Sequence, residues 1–474
     1  MKTAAVIAEY NPFHNGHQYQ LEETRKETGA DFLLVVMSGN FVQRGAPAIV
    51  NKYARTKAAL LGGADVVIEL PALYALSSAE FFAGGAVTLL NRLNVVDFLS
   101  FGSESGNIAL LESCARILAE KEAELNSAIM PLLKNGVSYP AAREQALAAA
   151  VSGLSSAFAS DISPETLTGL LGSPNNILGL EYCKALFALR SNIRPFTLKR
   201  TDRGYHDTVL SPCNISGSGA DGNCVSIPGP ASGSAAAAGT SLGSASGSAP
   251  GLASASAIRK AMSRCPEAVR NYVPEITFPF LTENFVPVTE DSFSHLLHYK
   301  LLAGAPLGFS EYLDCTPDLS DKICKNLPSY TGFTDFCGLL KSRELTYTRI
   351  SRVLMHILLD IKTPEAFKPS LADRKLFVPY ARLLGFRQGS EPLLAEIKKS
   401  SSIPLLSKMA DARFLLDERA LALLTQDVYC ASVYESAITC ATGRPVPNEW
   451  KMSPVIVSRP EWLFSDTESG NNYY

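Results

Sequence analysis

Short apolar runs alternate with amphipathic stretches through the first half of the chain. Such runs are typical of strands buried on both faces of a parallel sheet. The stretches between them have helical periodicity, and the first ends at Gly29, a common residue after a helix. The alternation predicts a doubly wound, Rossmann-like α/β domain. The runs cover Ala4 to Ala8, Phe32 to Met37, Val66 to Leu70, Val95 to Phe101 and Pro195 to Leu198; the helical stretches cover Gly16 to Thr28, Asn51 to Leu61 and Ser77 to Leu93.

The pattern changes twice further along the chain. From about residue 208 to 253 the sequence is rich in Ser, Gly and Ala, and it has too few large apolar residues to offset the entropy of ordering. We predict a disordered insertion there, inside a first domain of residues 1–262. Beyond it the periodicity is helical, so residues 263–474 are expected to form an all-α C-terminal domain. Its helices are expected near Phe293 to Ala303, Thr346 to Ile361, Leu371 to Leu384 and Glu391 to Ser400.

Length and composition favour a two-domain protein without a zinc site, a membrane span or a strong overall charge. A chain of 474 residues, 46% of them hydrophobic, is long enough for two cores. Its formal net charge of −3 gives no general attraction to a nucleic acid or membrane, so a polyanionic partner would need a local basic patch. The ten cysteines lack the spacing of a zinc site, and we expect neither a signal peptide nor a membrane span. A cytoplasmic protein with reduced thiols fits these features best.

A turn leading into a helix follows the first predicted strand, and it carries two histidines. It reads Ala8-Glu9-Tyr10-Asn11-Pro12-Phe13-His14-Asn15-Gly16-His17. His14 and His17 would project from one face of the first helical turn, while Gly16 would let a triphosphate approach the helix N-terminus. Hydrogen bonds from the imidazoles would stabilise charge that develops at the α-phosphorus. The pattern predicts a nucleotide site with His14 and His17 as catalytic residues; a loop with two solvent-facing histidines is the alternative.

The motif His-x-Gly-His resembles the signature of the nucleotidyltransferase and class I aminoacyl-tRNA synthetase superfamily, in position as well as in letters. A second segment, Ala253-Ser254-Ala255-Ser256-Ala257-Ile258-Arg259, resembles the Ile-Ser-Ser-Thr-x-Ile-Arg-like element of these nucleotidyltransferases. The resemblance implies that Ser256 caps the following helix and that Ser254, Ser256 and Arg259 face the β- and γ-phosphates. The end of a Ser/Ala-rich linker would have a similar composition.

The string Glu9 to His17 resembles one family closely, the bacterial tRNA(Met) cytidine acetate ligases. Further agreement lies in Met37 to Gly45, Val67 to Pro71, Phe101 to Glu104, Ser173 to Gly179 and Tyr205 to Asp207. The resemblance implies that ATP and acetate form acetyladenylate and pyrophosphate, and that the acetyl group passes to N4 of the wobble cytidine of elongator tRNA(Met). Such a reaction needs positioning and charge stabilisation rather than a covalent nucleophile.

Carried over position by position, the resemblance also implies an ATP site, with Mg²⁺ as the companion of ATP and no metal ligand assigned. Gly102 follows the fourth strand, Asn175 would bond the adenine or ribose, and Arg200 would pair with phosphate. The implied nucleotide-binding residues are Ile7, Ala8, Glu9, Tyr10, Asn11, Pro12, Phe13, His14, Asn15, Gly16, His17, Gln18, Tyr19, Gln20, Gly102, Asn175, Arg200, Ser256 and Arg259.

Positive charge is concentrated in the second half of the chain. Residues 341 to 400 hold twelve Lys or Arg against six Asp or Glu. On the helix near Thr346, Arg349, Arg352 and His356 share a face that we expect to contact a tRNA backbone. Two other functions stay open: a small-molecule adenylyltransferase, which would not need this domain, and a non-catalytic RNA-binding module, which would not need both histidines.

Overall fold

A central sheet of mostly parallel strands organises the molecule. The computed structural model describes residues 1–135, 137, 139–152, 164–200, 251, 253–283, 285–364 and 376–458. The strands are β1 Thr3–Ala8, β2 Phe32–Ser38, β3 Phe41–Val42, β4 Ala46–Pro47, β5 Val66–Leu70, β6 Phe98–Ser103, β7 Arg194–Lys199, β8 Ala381–Arg387, β9 Leu405–Leu406 and β10 Val455–Val457. The order across the sheet is β10-β8-β5-β2-β1-β6-β7, with β9 beside β8, while β3 and β4 form a separate hairpin. Only the β5–β8 pair of this described sheet is antiparallel.

Helices cover both faces of the sheet, as the alternation of apolar and amphipathic segments predicts. Alternate residues of β1 belong to opposite cores: Val6 lies in the same core as Leu21, and Ile7 lies in the same core as Phe82. The mixed α/β class with a parallel-dominated sheet is therefore confirmed. The helices are α1 Asn15–Thr28, α2 Lys52–Leu61, α3 Ala72–Ala75, α4 Ala79–Leu93, α5 Ile108–Glu120, α6 Glu122–Lys134, α7 Tyr139–Ser152, α8 Pro164–Leu171, α9 Pro174–Ala188, α10 Ala255–Met262, α11 Phe278–Thr282, α12 Ser294–Gly304, α13 Pro317–Asn326, α14 Phe333–Leu340, α15 Tyr347–Leu358, α16 Glu391–Ser400, α17 Ala412–Leu415 and α18 Glu418–Thr442.

The C-terminal part is largely helical, but it also contributes three strands to the sheet. The helix expected over Leu371 to Leu384 is wrong where the structure describes it, because β8 begins at Ala381. Gly385 lets β8 lie close to its neighbours: a Cβ there would lie 2.6 Å from the carbonyl oxygen of Val455 and 2.8 Å from the Thr56 side chain. Close approach of strand and helix favours glycine. An all-α second half is thus corrected to a helical region with three strands.

Buried ion pairs fasten β8 to the first half of the chain. Arg382 lies 2.9 Å from Glu69 of β5 and 2.7 Å from Glu449. Lys52 of α2 lies 2.8 Å from Glu69 and 2.6 Å from Glu449, and all four side chains are almost fully buried. At the other end of β8, Arg387 pairs with Asp65, which also pairs with Arg25. We call the set Lys52, Glu69, Arg382 and Glu449 the β5–β8 junction.

Several other expectations concern the chain as a whole. The insertion predicted at about 208–253 lies outside the described residues except at 251 and 253, and a domain boundary near residue 262 stays a prediction. The eight cysteines that the structure describes are all free thiols. Among the described helices, none is both long and apolar enough to cross a membrane.

Candidate active site

The two motif histidines form a fixed pair at the N-terminus of α1. His14 is the N-cap residue, and its Nδ1 accepts a hydrogen bond of 3.1 Å from the backbone N–H of Gly16. His17 Nδ1 in turn accepts one of 3.3 Å from the backbone N–H of His14. The two rings stack with centroids 3.7 Å apart, so the expectation that they share one side of the first turn is confirmed. We call them the histidine pair.

Both imidazoles are neutral at pH 7. Burial, together with the positive charges of Arg200 and Arg259, lowers the pKa of His14 to about 3. Burial, His14 and Arg200 hold the pKa of His17 well below its usual value. Because each Nδ1 accepts a hydrogen bond, the single proton of each neutral ring lies on Nε2. The histidine pair therefore offers two N–H donors without carrying charge.

Aromatic packing and a buried arginine hold the turn between β1 and α1 in place. The His17 ring lies 4.8 Å from the Tyr10 ring and 5.8 Å from the Phe13 ring, and both aromatic side chains are buried. Arg55, which is fully buried, donates to the carbonyl oxygens of Glu9 and Ser38 at 2.6 and 3.1 Å. It thereby joins the ends of β1 and β2. Sequence reasoning missed Arg55; the signal was a basic residue on the apolar side of a helix.

The second predicted segment forms α10 and docks on the same turn. Ser254, rather than Ser256, is its N-cap, since Ser254 Oγ accepts from the backbone N–H of Ala257 at 3.2 Å. The cap assigned to Ser256 is therefore wrong. Ser256 Oγ instead accepts from Arg259 at 3.1 Å, and Arg259 also donates to the carbonyl oxygen of Asn11 at 2.8 Å. Both bonds of this guanidinium go to uncharged acceptors.

Gly102 and Arg200 meet at the carboxyl ends of neighbouring strands. Gly102 is the penultimate residue of β6 rather than a residue after the strand, and Arg200 directly follows β7. The Arg200 backbone N–H donates to the carbonyl oxygen of Ser103 at 2.9 Å. A Cβ at Gly102 would lie 3.2 Å from Arg200 Cγ, so the glycine leaves room for this side chain. The influence of Arg200 on both imidazole pKa values places it close to the histidine pair.

Asn175 lies at the start of α9 and is held by a carboxylate. Its Nδ2 donates to Glu104 Oε1 at 2.6 Å, and the backbone N–H of Asn176 donates to Glu104 Oε2 at 2.9 Å. Glu104 directly follows β6, so Asn175 lies at the same edge of the sheet as Gly102. The role of Glu104 in holding this helix start was not predicted.

The remaining predicted residues of the turn divide between the core and the surface of α1. Ile7 and Ala8 end β1, and Gln18 donates to Glu22 at 2.8 Å along the helix surface. The Tyr19 side chain is 56% exposed. The structure therefore brings together the histidine pair, Ser256, Arg259, Gly102 and Arg200, whereas Gln18 and Tyr19 lie on the outer face of α1. In the part of the chain that the structure describes, no three His, Cys, Asp or Glu side chains cluster as a metal site.

The face predicted to contact tRNA is only partly open. His356 is fully buried, and its ring nitrogens lie 2.7 Å from the carbonyl oxygen of Leu313 and 3.0 Å from that of Leu76. It cannot touch a phosphate, so this part of the prediction is wrong. Arg352 pairs with Asp314 at 3.3 Å and is mostly buried. Helical periodicity placed His356 correctly beside Arg352, but it did not reveal that Leu76 and Leu313 cover that end of α15.

Comparison with known proteins agrees with this architecture. The HIGH nucleotidyl transferase family matches residues 1–220 and 239–444. A relative from Acetivibrio thermocellus, named tRNA(Met) cytidine acetate ligase, is 38% identical over 96% of this chain and 100% of its own length. A relative of the same name from Clostridium perfringens strain SM101 is 36% identical over the same shares. The chain belongs to the tRNA(Met) cytidine acetate ligase family.

Solved structures of a family member agree along nearly the whole chain. Thermotoga maritima TmcAL bound with alpha-thio ATP superposes with a TM-score of 0.79 at 28% identity, over 97% of this chain and all of the other. The apo form of the same protein gives a TM-score of 0.80 at 29% identity, over the same shares. The similarity therefore extends beyond the first half of the chain into the helical region.

Proposed function

We propose that this chain activates acetate with ATP and transfers the acetyl group to N4 of the wobble cytidine of elongator tRNA(Met), forming N4-acetylcytidine. The observation that carries the proposal is the histidine pair: two neutral N–H donors at a helix N-terminus, beside Arg200 and Arg259. The names of the relatives and the ATP analogue in the Thermotoga maritima structure support the same assignment.

In this proposal the triphosphate lies between the N-termini of α1 and α10. The Nε2–H groups of the histidine pair donate to phosphate oxygens, and Arg259 and Arg200 neutralise their charge. Ser256, hydrogen-bonded to Arg259, faces the same phosphates. Asn175 and Gly102, at the carboxyl end of β6, lie where doubly wound sheets bind the nucleoside.

The first step joins acetate to AMP. A carboxylate oxygen of acetate attacks the α-phosphorus, the bond to the bridging oxygen of pyrophosphate breaks, and acetyladenylate forms. Negative charge increases on the phosphate oxygens in the transition state, where fixed N–H donors stabilise it. In the second step N4 of the cytidine attacks the acetyl carbonyl, AMP leaves with the bonding electrons, and the amine loses a proton.

Mg²⁺ accompanies ATP in this proposal. Because Mg²⁺ retains several waters and binds phosphate oxygens readily, it needs few protein ligands. This behaviour suits the described residues, which offer no cluster of three or more ligating side chains. The ion would partly neutralise the triphosphate, while the histidine pair and the arginines act on its remaining charge.

We place the tRNA against exposed basic residues of the helical region, in the cytoplasm where tRNA is modified. Lys341, Arg343, Lys398 and Lys399 are exposed and would reach phosphates, in contrast to His356. Arg382 and Arg387, which belong to the same basic stretch, are held in buried ion pairs. Only part of the local positive charge is therefore available to RNA.

The direct test is ATP–pyrophosphate exchange with purified protein, with and without acetate, followed by addition of elongator tRNA(Met). We expect exchange that depends on acetate, and N4-acetylcytidine on nucleoside mass analysis of elongator tRNA(Met). Initiator tRNA is the matched control and should remain unmodified. Exchange that requires another acid or a phosphorylated precursor would contradict the acetate assignment, and exchange without tRNA modification would contradict the tRNA assignment.

A further inference from the structure

The variable position of the His-x-Gly-His motif makes a long-range contact. Asn15, the first residue of α1, donates from Nδ2 to the carbonyl oxygen of Gly251 at 3.0 Å and to that of Asn271 at 3.0 Å. These acceptors are 236 and 256 residues away in sequence. Gly251 precedes α10 and Asn271 follows it, so one amide group spans both ends of the segment that carries α10.

The two acceptors are themselves joined. The backbone N–H of Gly251 donates to the carbonyl oxygen of Asn271 at 3.0 Å, which closes the segment into a loop. A Cβ at Gly251 would lie 2.9 Å from the Tyr272 ring, so a side chain there would strain this closure. Asn15 therefore donates to two carbonyl groups of one closed loop, and not to two independent segments.

A second contact joins α10 to the other side of the same turn. Arg259 donates to the carbonyl oxygen of Asn11, four residues before Asn15. Below these polar contacts, Ile258 and Met262 are buried in the same core as Phe13. The apolar contact sets which face of α10 is buried, whereas the directional bonds from Asn15 and Arg259 set how its N-terminus meets the histidine pair.

We infer that Asn15 is a positioning residue whose side-chain amide holds α10 against the histidine pair, so that phosphate-binding groups from distant parts of the chain form one site. This inference rests on the proposed function. The amide acts through Ser256 and Arg259, and its two donated hydrogens go to protein carbonyls rather than to nucleotide. Alanine at this position would leave α1 intact but let the N-terminus of α10 move.

The first experiment compares wild-type protein, Asn15→Ala and Lys26→Ala in acetate-dependent exchange. Lys26 is the matched control, since it lies on α1 and is 69% exposed. Loss of two ordinary hydrogen bonds should raise the KM for ATP about tenfold in Asn15→Ala, with kcat changed less than about threefold. A KM within twofold of wild type would overturn the inference. Absence of exchange in the wild-type protein would instead refute the proposed function.

The second experiment measures amide hydrogen exchange without any substrate. We expect residues 253–262 to exchange faster in Asn15→Ala than in Lys26→Ala, while α1 and the sheet keep their protection. Asn15→Asp keeps the size of the side chain but replaces its donor with an acceptor that faces two carbonyl oxygens, so it should give the same local change. Unchanged protection of residues 253–262 in both variants would overturn the inference, whatever the catalytic activity is.

Discussion

The histidine pair and the β5–β8 junction both bury ionisable groups, but they balance charge differently. At the junction Arg382 lies between Glu69 and Glu449. Burial would raise the pKa of Glu449, but the charges of Lys52 and Arg382 outweigh it and lower this pKa to about 2. At the histidine pair the pKa values fall through burial first, and the positive charges of Arg200 and Arg259 lower the pKa of His14 further. A buried set whose opposite charges balance each other stabilises the fold, whereas neutral hydrogen-bond donors that lie close to positive charges are suited to an anionic ligand.

The strongest test of this comparison is Arg382→Ala. Removal of the guanidinium leaves Glu69 and Glu449 buried with Lys52 as their shared cation, so the free energy of unfolding should fall by about 3–5 kcal/mol. Chemical denaturation monitored by circular dichroism measures it. Lys362→Ala is the matched control, because its partner Glu311 is also about half exposed and the pair should contribute less than about 1 kcal/mol. Similar losses in both variants would show that the junction does not fasten β8.

His14→Ala tests the other side of the comparison. Loss of a preorganised donor should lower kcat for acetate-dependent exchange by about 10²–10³-fold. The free energy of unfolding should change far less than in Arg382→Ala, although part of the helix cap is lost. An intact exchange rate would refute the catalytic role of the histidine pair. A collapse of stability as large as that of Arg382→Ala would show that the pair is mainly structural.

Ser254→Ala and Ser256→Ala test which serine caps α10, Ser254 as in the structure or Ser256 as the sequence pattern predicted. Loss of the Ser254 cap should lower stability by about 1 kcal/mol, whereas loss of Ser256 should change it by less than about 0.5 kcal/mol. Ser256→Ala should instead raise the KM for ATP, because Arg259 loses a partner. Thermal unfolding and exchange kinetics measure the two effects. A larger loss of stability in Ser256→Ala than in Ser254→Ala would indicate that Ser256 is the cap.

The smallest expected effect is an absence of titration. With the pKa of His14 near 3, its ring should stay neutral from pH 8 to pH 5, with the proton on Nε2. The direction of the effect on stability follows from the two pKa values. The unfolded chain takes up a proton on His14 near pH 6.5 and the folded chain does not, so the free energy of unfolding decreases as pH falls from about 6.5 toward 3. Nitrogen-15 NMR of labelled histidine reports both tautomer and titration. A His14 midpoint near 6.5 would contradict the positive environment of the pair.

Much of the first half was predictable because its signals are local. Buried parallel strands need continuous apolar runs, and four of the five predicted runs coincide with strands to within about two residues at each end. The run from Val95 began three residues early, since β6 starts at Phe98 after a loop that is also apolar. The histidine turn was equally readable, because its spacing, its glycine and its position after β1 are all features of sequence.

Other features depended on neighbours that the sequence does not reveal. The segment from Ala381 has residues that suit either a helix or a strand. It forms a strand because it pairs with the edge of β5, where Glu69 pairs with Arg382. His356 lies on the side of α15 that helical periodicity gave it, but the backbone carbonyl groups of Leu76 and Leu313 cover that side.

The sequence by itself determined the α/β class, the position of the histidine pair and the family resemblance, because each depends on residues close together in the chain. Tertiary structure alone decided that Arg382 serves the core rather than RNA, that Ser254 caps α10, and that Asn15 reaches residues more than 200 positions away. Hydrogen bonds and buried ion pairs are satisfied by whatever partner the fold brings near, and that partner is not encoded in local spacing.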